Sequence, residues 1–194
     1  MEERLGWEEA LARSGLMETL ARFDPRVVGT LPLGVAMPDS YIDVLAYAPD
    51  LHAISAVLLD QHGQEGGFFV RQWTTRGRPV VAGFVAHGWA FEVFASAEPV
   101  ATQPGWLHFA VEQRLLELAG DAFRDMVMQG RSRGLKTEPA FAKALGLKSD
   151  PYSTMLRLSG EADSCLEAAL AAAGFSLRER EPITPWTSRS ICPL

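Results

Sequence analysis

The chain has 194 residues, 47% of them hydrophobic and 22% charged, which fits one compact unit or two small subdomains sharing a core and disfavours disorder. A formal charge of -6 and a pI near 5.2 count against a whole-surface grip on nucleic acid, so an RNA or DNA partner would need a local basic patch. Cys165 and Cys192 provide neither a disulfide framework nor metal-ligand spacing, the opening residues are too acidic for a signal peptide, and no apolar run approaches the ~18 residues of a membrane span. The expectation is a cytoplasmic protein with no membrane insertion.

Leu11, Leu16, Leu20 and Phe23 recur at helical spacing and predict one amphipathic helix over 7–23, stopped before Pro25. Val27–Thr30 and Tyr41–Tyr47 read as short strands joined by a Pro/Gly-rich loop. Asp50 is placed to cap a helix over 51–62 whose buried stripe is Leu51, Ile54, Val57 and Leu58. GGFFVRQWTT, RPVVAGFVAHG and WAFEVFAS are β-branched or aromatic runs separated by turns, which predicts an antiparallel meander extending the sheet. After Pro99 the strand signals mostly stop, and helices are predicted over 105–119, 121–130, 138–146, 151–158 and 161–173. Residues 175–194 read equally as a docked strand or a loose tail. The fold class is α+β: a sheet flanked by helices over 1–100, then a helical region with a C-terminal tail over 101–194 packed on it.

The richest stretch for chemistry is Val28-Gly29-Thr30, a ten-residue loop over 31–40, then Tyr41-Ile42-Asp43-Val44. A glycine followed by a hydroxyl residue lets backbone approach a phosphate, and a strand returning with a carboxylate sets Mg²⁺ beside it. This outline resembles the nucleotidyltransferase superfamily (DNA polymerase beta-like fold). There, an apolar residue, Gly and Gly/Ser precede a loop of similar length and an Asp-x-Asp pair, with a third carboxylate on a later strand. The resemblance implies a nucleotidyltransferase-like mixed sheet, with Asp43 and Glu92 catalytic and Glu92, inside Phe91-Glu92-Val93-Phe94, as the third carboxylate.

The first Asp of that pair is Tyr41 here. Side chains two apart on a strand share a face, about 6.6 Å apart at ~3.3 Å per residue, so one carboxylate stands where two would. Asp39 either joins Asp43 and Glu92 as a metal ligand or is a turn residue after Pro38. Mg²⁺ tolerates one or two carboxylates with substrate phosphates and water, whereas two-metal catalysis suffers more from the loss. Plainer readings stand beside these. Asp43 and Glu92 could face solvent on alternating strands, and Gly29 and Gly34 could serve only the turn.

A second stretch runs from Arg131 to Ala142. Thr137 reads as an N-cap with Pro139 in the first turn, and a helix N-terminus preceded by Arg133 and Lys136 is an anion site. Between Arg124 and Lys148 stand six basic residues against two acidic. The segment reads either as a triphosphate contact led by Lys136 or as a solvated face. His108 and Glu112 share a helix face, either as a substrate-contacting acid/base pair or with a buried, hydrogen-bonded His108. Gln103 reads as a cap or a base-edge contact. Walker, nucleophile-elbow, H-E-x-x-H and Rossmann patterns are lacking.

Together GTLPLG, SYIDV, FEVF, the TQ…H…E helix and GLKTEPAFAKALGL followed by DPY resemble an uncharacterised bacterial family with a nucleotidyltransferase-like fold, over roughly residues 24–158. The enzyme reading that follows has Gly29, Thr30, Tyr41, Arg133 and Lys136 holding a nucleoside triphosphate, and Asp39, Asp43 and Glu92 holding Mg²⁺. Its acceptor would be a small molecule or a protein, and long nucleic acid is not expected. Such relatives carry Ser-Asp-x-Asp where this chain has Ser40-Tyr41-Ile42-Asp43. A second expectation is therefore a nucleotide- or phosphate-binding module without catalysis, in which Tyr41 stacks on a base or sugar. A third gives the helical back half a partner-binding role.

Overall fold

In a computed structural model of the chain, residues 5–75 and 77–178 are described. Five strands form one mixed sheet: β1 (Arg26–Val28), β2 (Ile42–Tyr47), β3 (Gly66–Gln72), β4 (Val80–Ala86) and β5 (Trp89–Ser96), in the order β1-β2-β5-β4-β3. β2 and β5 run parallel, and the other neighbours are antiparallel. The expected meander over β3–β5 is present. Its parallel contact with β2 requires a crossover, supplied by α4 (Leu51–His62) and the β3–β4 hairpin.

Alternation along the strands separates two cores. Ile42, Val44 and Ala46 of β2, with Phe91, Val93 and Ala95 of β5, point to one face and pack with α1 (Trp7–Ser14), α2 (Leu16–Thr19) and α4. The predicted single helix over 7–23 is broken, because Gly15 enters the left-handed region at φ 65 and closes α1, and this helical segment finishes in a 3-10 turn over Ala21–Phe23. Asp50 caps α4 as expected, its Oδ1 accepting from His52 N at 2.9 Å and Ala53 N at 3.3 Å.

Val28 and Leu45 turn to the other face with Phe94, against α5 (Pro104–Ala119), α6 (Asp121–Ser132), α7 (Thr137–Ala144), α8 (Pro151–Ser159) and α9 (Asp163–Ala172). Phe123 is fully buried, edge-on to Phe141 at 5.7 Å and to Phe175 at 5.1 Å. Burying such a ring is worth about 1.5–3 kcal/mol, so α6, α7 and the segment after α9 share one anchor. Arg114 ties α5 to the α8–α9 link through Asp163 Oδ1 at 2.8 Å and the Glu161 carbonyl at 2.7 Å.

Gln103 stands at the N-cap of α5, as the cap reading expected, but its side chain makes no cap bond. At 2% exposure its Nε2 donates to the carbonyls of Ala46 and Glu98, fastening the end of β2 to the start of α5. Lys136, not Thr137, stands at the N-cap of α7 and makes no side-chain cap bond. Among the described residues no helix is long and apolar enough to cross a membrane. The reading of residues 175–194 as strand or tail lies outside the described residues from 179 onward.

Candidate functional site

The Val28-Gly29-Thr30 turn opens a short helix, α3 (Thr30–Leu33), so the expected loop begins with one helical turn and is released by Gly34 at φ 68. Beyond it Ser40 is buried. Its Oγ accepts from Met37 N at 2.9 Å and lies 3.0 Å from Thr30 Oγ1, which shapes the loop around both hydroxyls. Tyr41 precedes β2 rather than lying in it, and is 42% exposed. Asp39 is exposed on the preceding turn.

The register of the sheet brings Asp43 beside Glu92, on the face that carries Leu45 and Phe94. Both carboxylates are half-buried rather than solvent-facing. Asp43 also pairs with Val28, and Gly29 follows it at φ 81 and ψ -162, with no side chain to obstruct the carboxylate. Burial and then the neighbouring Glu92 raise the Asp43 carboxyl to about 7, and burial raises that of Glu92. Tyr41 is pushed up to about 12, first by Asp43, then by burial and Glu92, with Arg131 opposing; its phenol stays neutral.

Helices α5–α8 carry a second polar group, which acts on Tyr41 through Arg131 and Glu138. His108 Nδ1 lies 3.3 Å from Glu138 Oε1, and its Nε2 lies 3.1 Å from the Tyr152 carbonyl. Burial works against a charged His108, but these two acceptors and the Glu138 charge prevail and raise its pKa. Glu138 is lowered despite burial, chiefly through its bond to His108. Glu112, 4% exposed, keeps Oε1 without a hydrogen-bond partner, and its carboxyl is raised well above normal by burial and then Glu138. His108 and Glu112 thus share a face, yet His108 is engaged by Glu138 and Tyr152.

Two basic residues act on this site: Arg131, which influences both Tyr41 and Glu112, and Lys136, whose charge helps to lower Glu138. Arg133 and Lys136 are exposed. A helical stripe offered the signal: Phe123, Val127 and Arg131 stand four apart, so Arg131 continues the buried face of α6.

Mg²⁺, implied by the resemblance, finds two adjacent carboxylates whose mutual repulsion a cation would relieve. That donor set fits one ion sharing substrate phosphates. It does not fit a three-ligand protein site: Tyr41 offers a neutral phenol, Asp39 stays on its turn, and among the described residues no group of three His, Cys, Asp or Glu side chains could hold a metal.

The family model described as "Domain of unknown function (DUF4269)" matches residues 9–158. The chain belongs to the DUF4269 family. No curated protein matches this DUF4269 chain in sequence. Among solved structures it is similar to the Cid1 poly(U) polymerase with MgGTP bound, at 13% identity and TM-score 0.50, covering 77% of this chain and 48% of that one. The GLD-2/RNP-8 complex is similar at 10% identity and TM-score 0.50, covering 82% and 72%. A cytoplasmic RNA terminal U-transferase matches at 16% identity and TM-score 0.46, covering 76% and 44%. The DUF4269 chain spans less than half the length of the U-transferase and of Cid1. The Cid1 and GLD-2 likenesses establish a nucleotidyltransferase-like fold.

Proposed function

We propose that this protein binds a nucleoside triphosphate at Gly29, Thr30 and the Asp43–Glu92 pair, and transfers its nucleotidyl group to an acceptor hydroxyl. The observation that carries the reading is the side-by-side placement of Asp43 and Glu92 on parallel strands, against a backbone at Gly29 that lacks a side chain. Asp43 and Glu92 would hold Mg²⁺, which when bound supplies charge neutralisation at the phosphates. The Gly29–Thr30 backbone aligns the phosphates, and Arg131, with Arg133 and Lys136 further out, balances charge on the leaving group. The acceptor oxygen forms a bond to the α-phosphorus as the bond from that phosphorus to the bridging oxygen breaks. Pyrophosphate departs with the electron pair, and Glu92 takes the acceptor proton. The acceptor is a small molecule or a protein, and the acidic chain disfavours long nucleic acid.

Tyr41 supports a second reading, a nucleotide-binding module without turnover. Thermal stability with and without Mg²⁺ across ATP, GTP, CTP and UTP, in wild type and Asp43→Asn, tests the pocket; pyrophosphate release tests transfer. A ligand at ~100 times its Kd that binds only the folded chain adds about 2.7 kcal/mol. A Mg²⁺-dependent shift lost in Asp43→Asn, with pyrophosphate release, supports transfer. The shift without release supports the binding module, and no shift with any nucleotide overturns both.

A further inference from the structure

One rung of the sheet runs Val28, Asp43, Glu92, Gly83, Phe69. Strands stand about 4.8 Å apart, so Phe69 is two strands from Glu92, with only Gly83 between them. A Cβ on Gly83 would lie 2.6 Å from the Phe69 ring. The missing side chain lets that ring lie over the Gly83 backbone, toward Glu92. On the same face Val85 pairs with Ala90, and both are exposed. A bulge in β3 between Gly66 and Phe69, with Gly67 at φ +66, shapes the outer wall. The result is an open cleft of about 260 Å³, with Glu92 at one side and Tyr41 at its rim.

The chemistry of this cleft is selective. Phe69, Val85 and Ala90 make its walls apolar and Glu92 is the one charged group among its lining residues; one cation stands beside the lining, the Arg71 guanidinium, 4.8 Å from the Phe69 ring centroid. A polynucleotide acceptor brings phosphates that need cations, and small-molecule sites pair apolar walls with a few placed polar groups. We propose that this cleft is the acceptor subsite for a small uncharged alcohol or phenol, its apolar body against Phe69, Val85 and Ala90 and its hydroxyl toward Glu92. The subsite's part in transfer rests on the reading above; the binding itself is tested separately. In the transfer step the hydroxyl oxygen bonds to the α-phosphorus, its proton passes to Glu92, and pyrophosphate leaves.

The test is a titration of the isotope-labelled full chain with benzyl alcohol, phenol and cyclohexanol, followed by backbone amide resonances. Saturable shifts at Gly67, Val85 and Ala90 are expected. Ala90→Trp, which fills the cleft from an exposed position, and independently Val85→Glu should each weaken binding by about tenfold (~1.4 kcal/mol) or more, while amides of α9 keep their positions as a check on folding. No saturable shift at those amides with any of the three probes overturns the proposal. So does oligouridylate displacing a bound probe from the same amides. Mg²⁺-dependent nucleotide shifts are measured on wild type in parallel: if they fail while alcohols bind the cleft, the transfer reading falls and the binding site stands.

Discussion

Asp43 occupies the space that a side chain on Gly29 would need: a Cβ built on Gly29 stands 2.5 Å from Asp43 Oδ2. With φ 81 and ψ -162, Gly29 also holds a backbone conformation open essentially to glycine alone. The turn and the carboxylate are therefore one device, in which an absent side chain admits the acid to the turn.

Gly29→Ala should lose about 1–3 kcal/mol of stability from backbone strain and also displace the Asp43 carboxylate. The expected outcome is a lower midpoint in urea together with loss of the Mg²⁺-dependent nucleotide shift. A variant as stable as wild type would refute the coupling.

Asp43 titrates near 7 in the fold because of burial and Glu92. The unfolded chain releases that proton near 4, so without Mg²⁺ the Asp43 contribution falls as pH rises from about 4 to about 7 and is flat above. Asp43→Asn should then be more stable than wild type at pH 8, with the gap closing toward pH 4. Urea unfolding across this range checks it, and parallel pH profiles for the two proteins would refute it.

Tyr41→Asp adds a carboxylate to the rim of the pair. Like charges should lower stability without metal at pH 8, and Mg²⁺ affinity should rise by about tenfold (~1.4 kcal/mol). Calorimetric titration with Mg²⁺ reads this directly; unchanged affinity would mean that residue 41 does not reach the ion.

His108 has a raised pKa, so its ionic contribution is fully present below the unfolded value of ~6.5 and is lost as pH rises through the folded value. His108→Gln should cost about 1.5–3 kcal/mol near pH 5.5, the scale of a charge-assisted hydrogen bond, and less at higher pH. A pH-independent loss would point to packing instead of the Glu138 contact.

Burial and then the Glu138 charge raise the Glu112 carboxyl well above the ordinary carboxylate range. Its contribution is present below the ordinary carboxylate range and declines as pH rises toward the raised folded value. Glu112→Gln keeps the shape without the acid, so the expected effect at pH 8 is a higher Tm, by about 2–4 °C for each 1 kcal/mol. A lower Tm at pH 8 would show that the carboxyl is ionised and paired.

Local pattern carried much of the fold. The β-branched runs of β4 and β5 and the capped, striped α4 could be read because alternation and 3.6-residue spacing are written into adjacent residues. The break at Gly15 was less legible, since apolar spacing runs through it and only the left-handed backbone marks the stop.

The candidate site divides along the same line. Gly29 and Asp43 stood out because a glycine turn and an acid inside an apolar strand are local features, whereas Glu92 was singled out as the third carboxylate that the resemblance implies. That Asp43 and Glu92 face one another depends on the parallel register of β2 and β5, which strands distant in sequence reach only by packing. Packing likewise left Asp39 on its turn, buried Gln103 under the end of β2, and set Arg131 on the inner face of α6 while Arg133 and Lys136 stayed exposed. Spacing along the chain marked most of the strands and helices and the acids within them. Which of those groups meet followed from folding, because register and helix docking are set by burial across the whole chain.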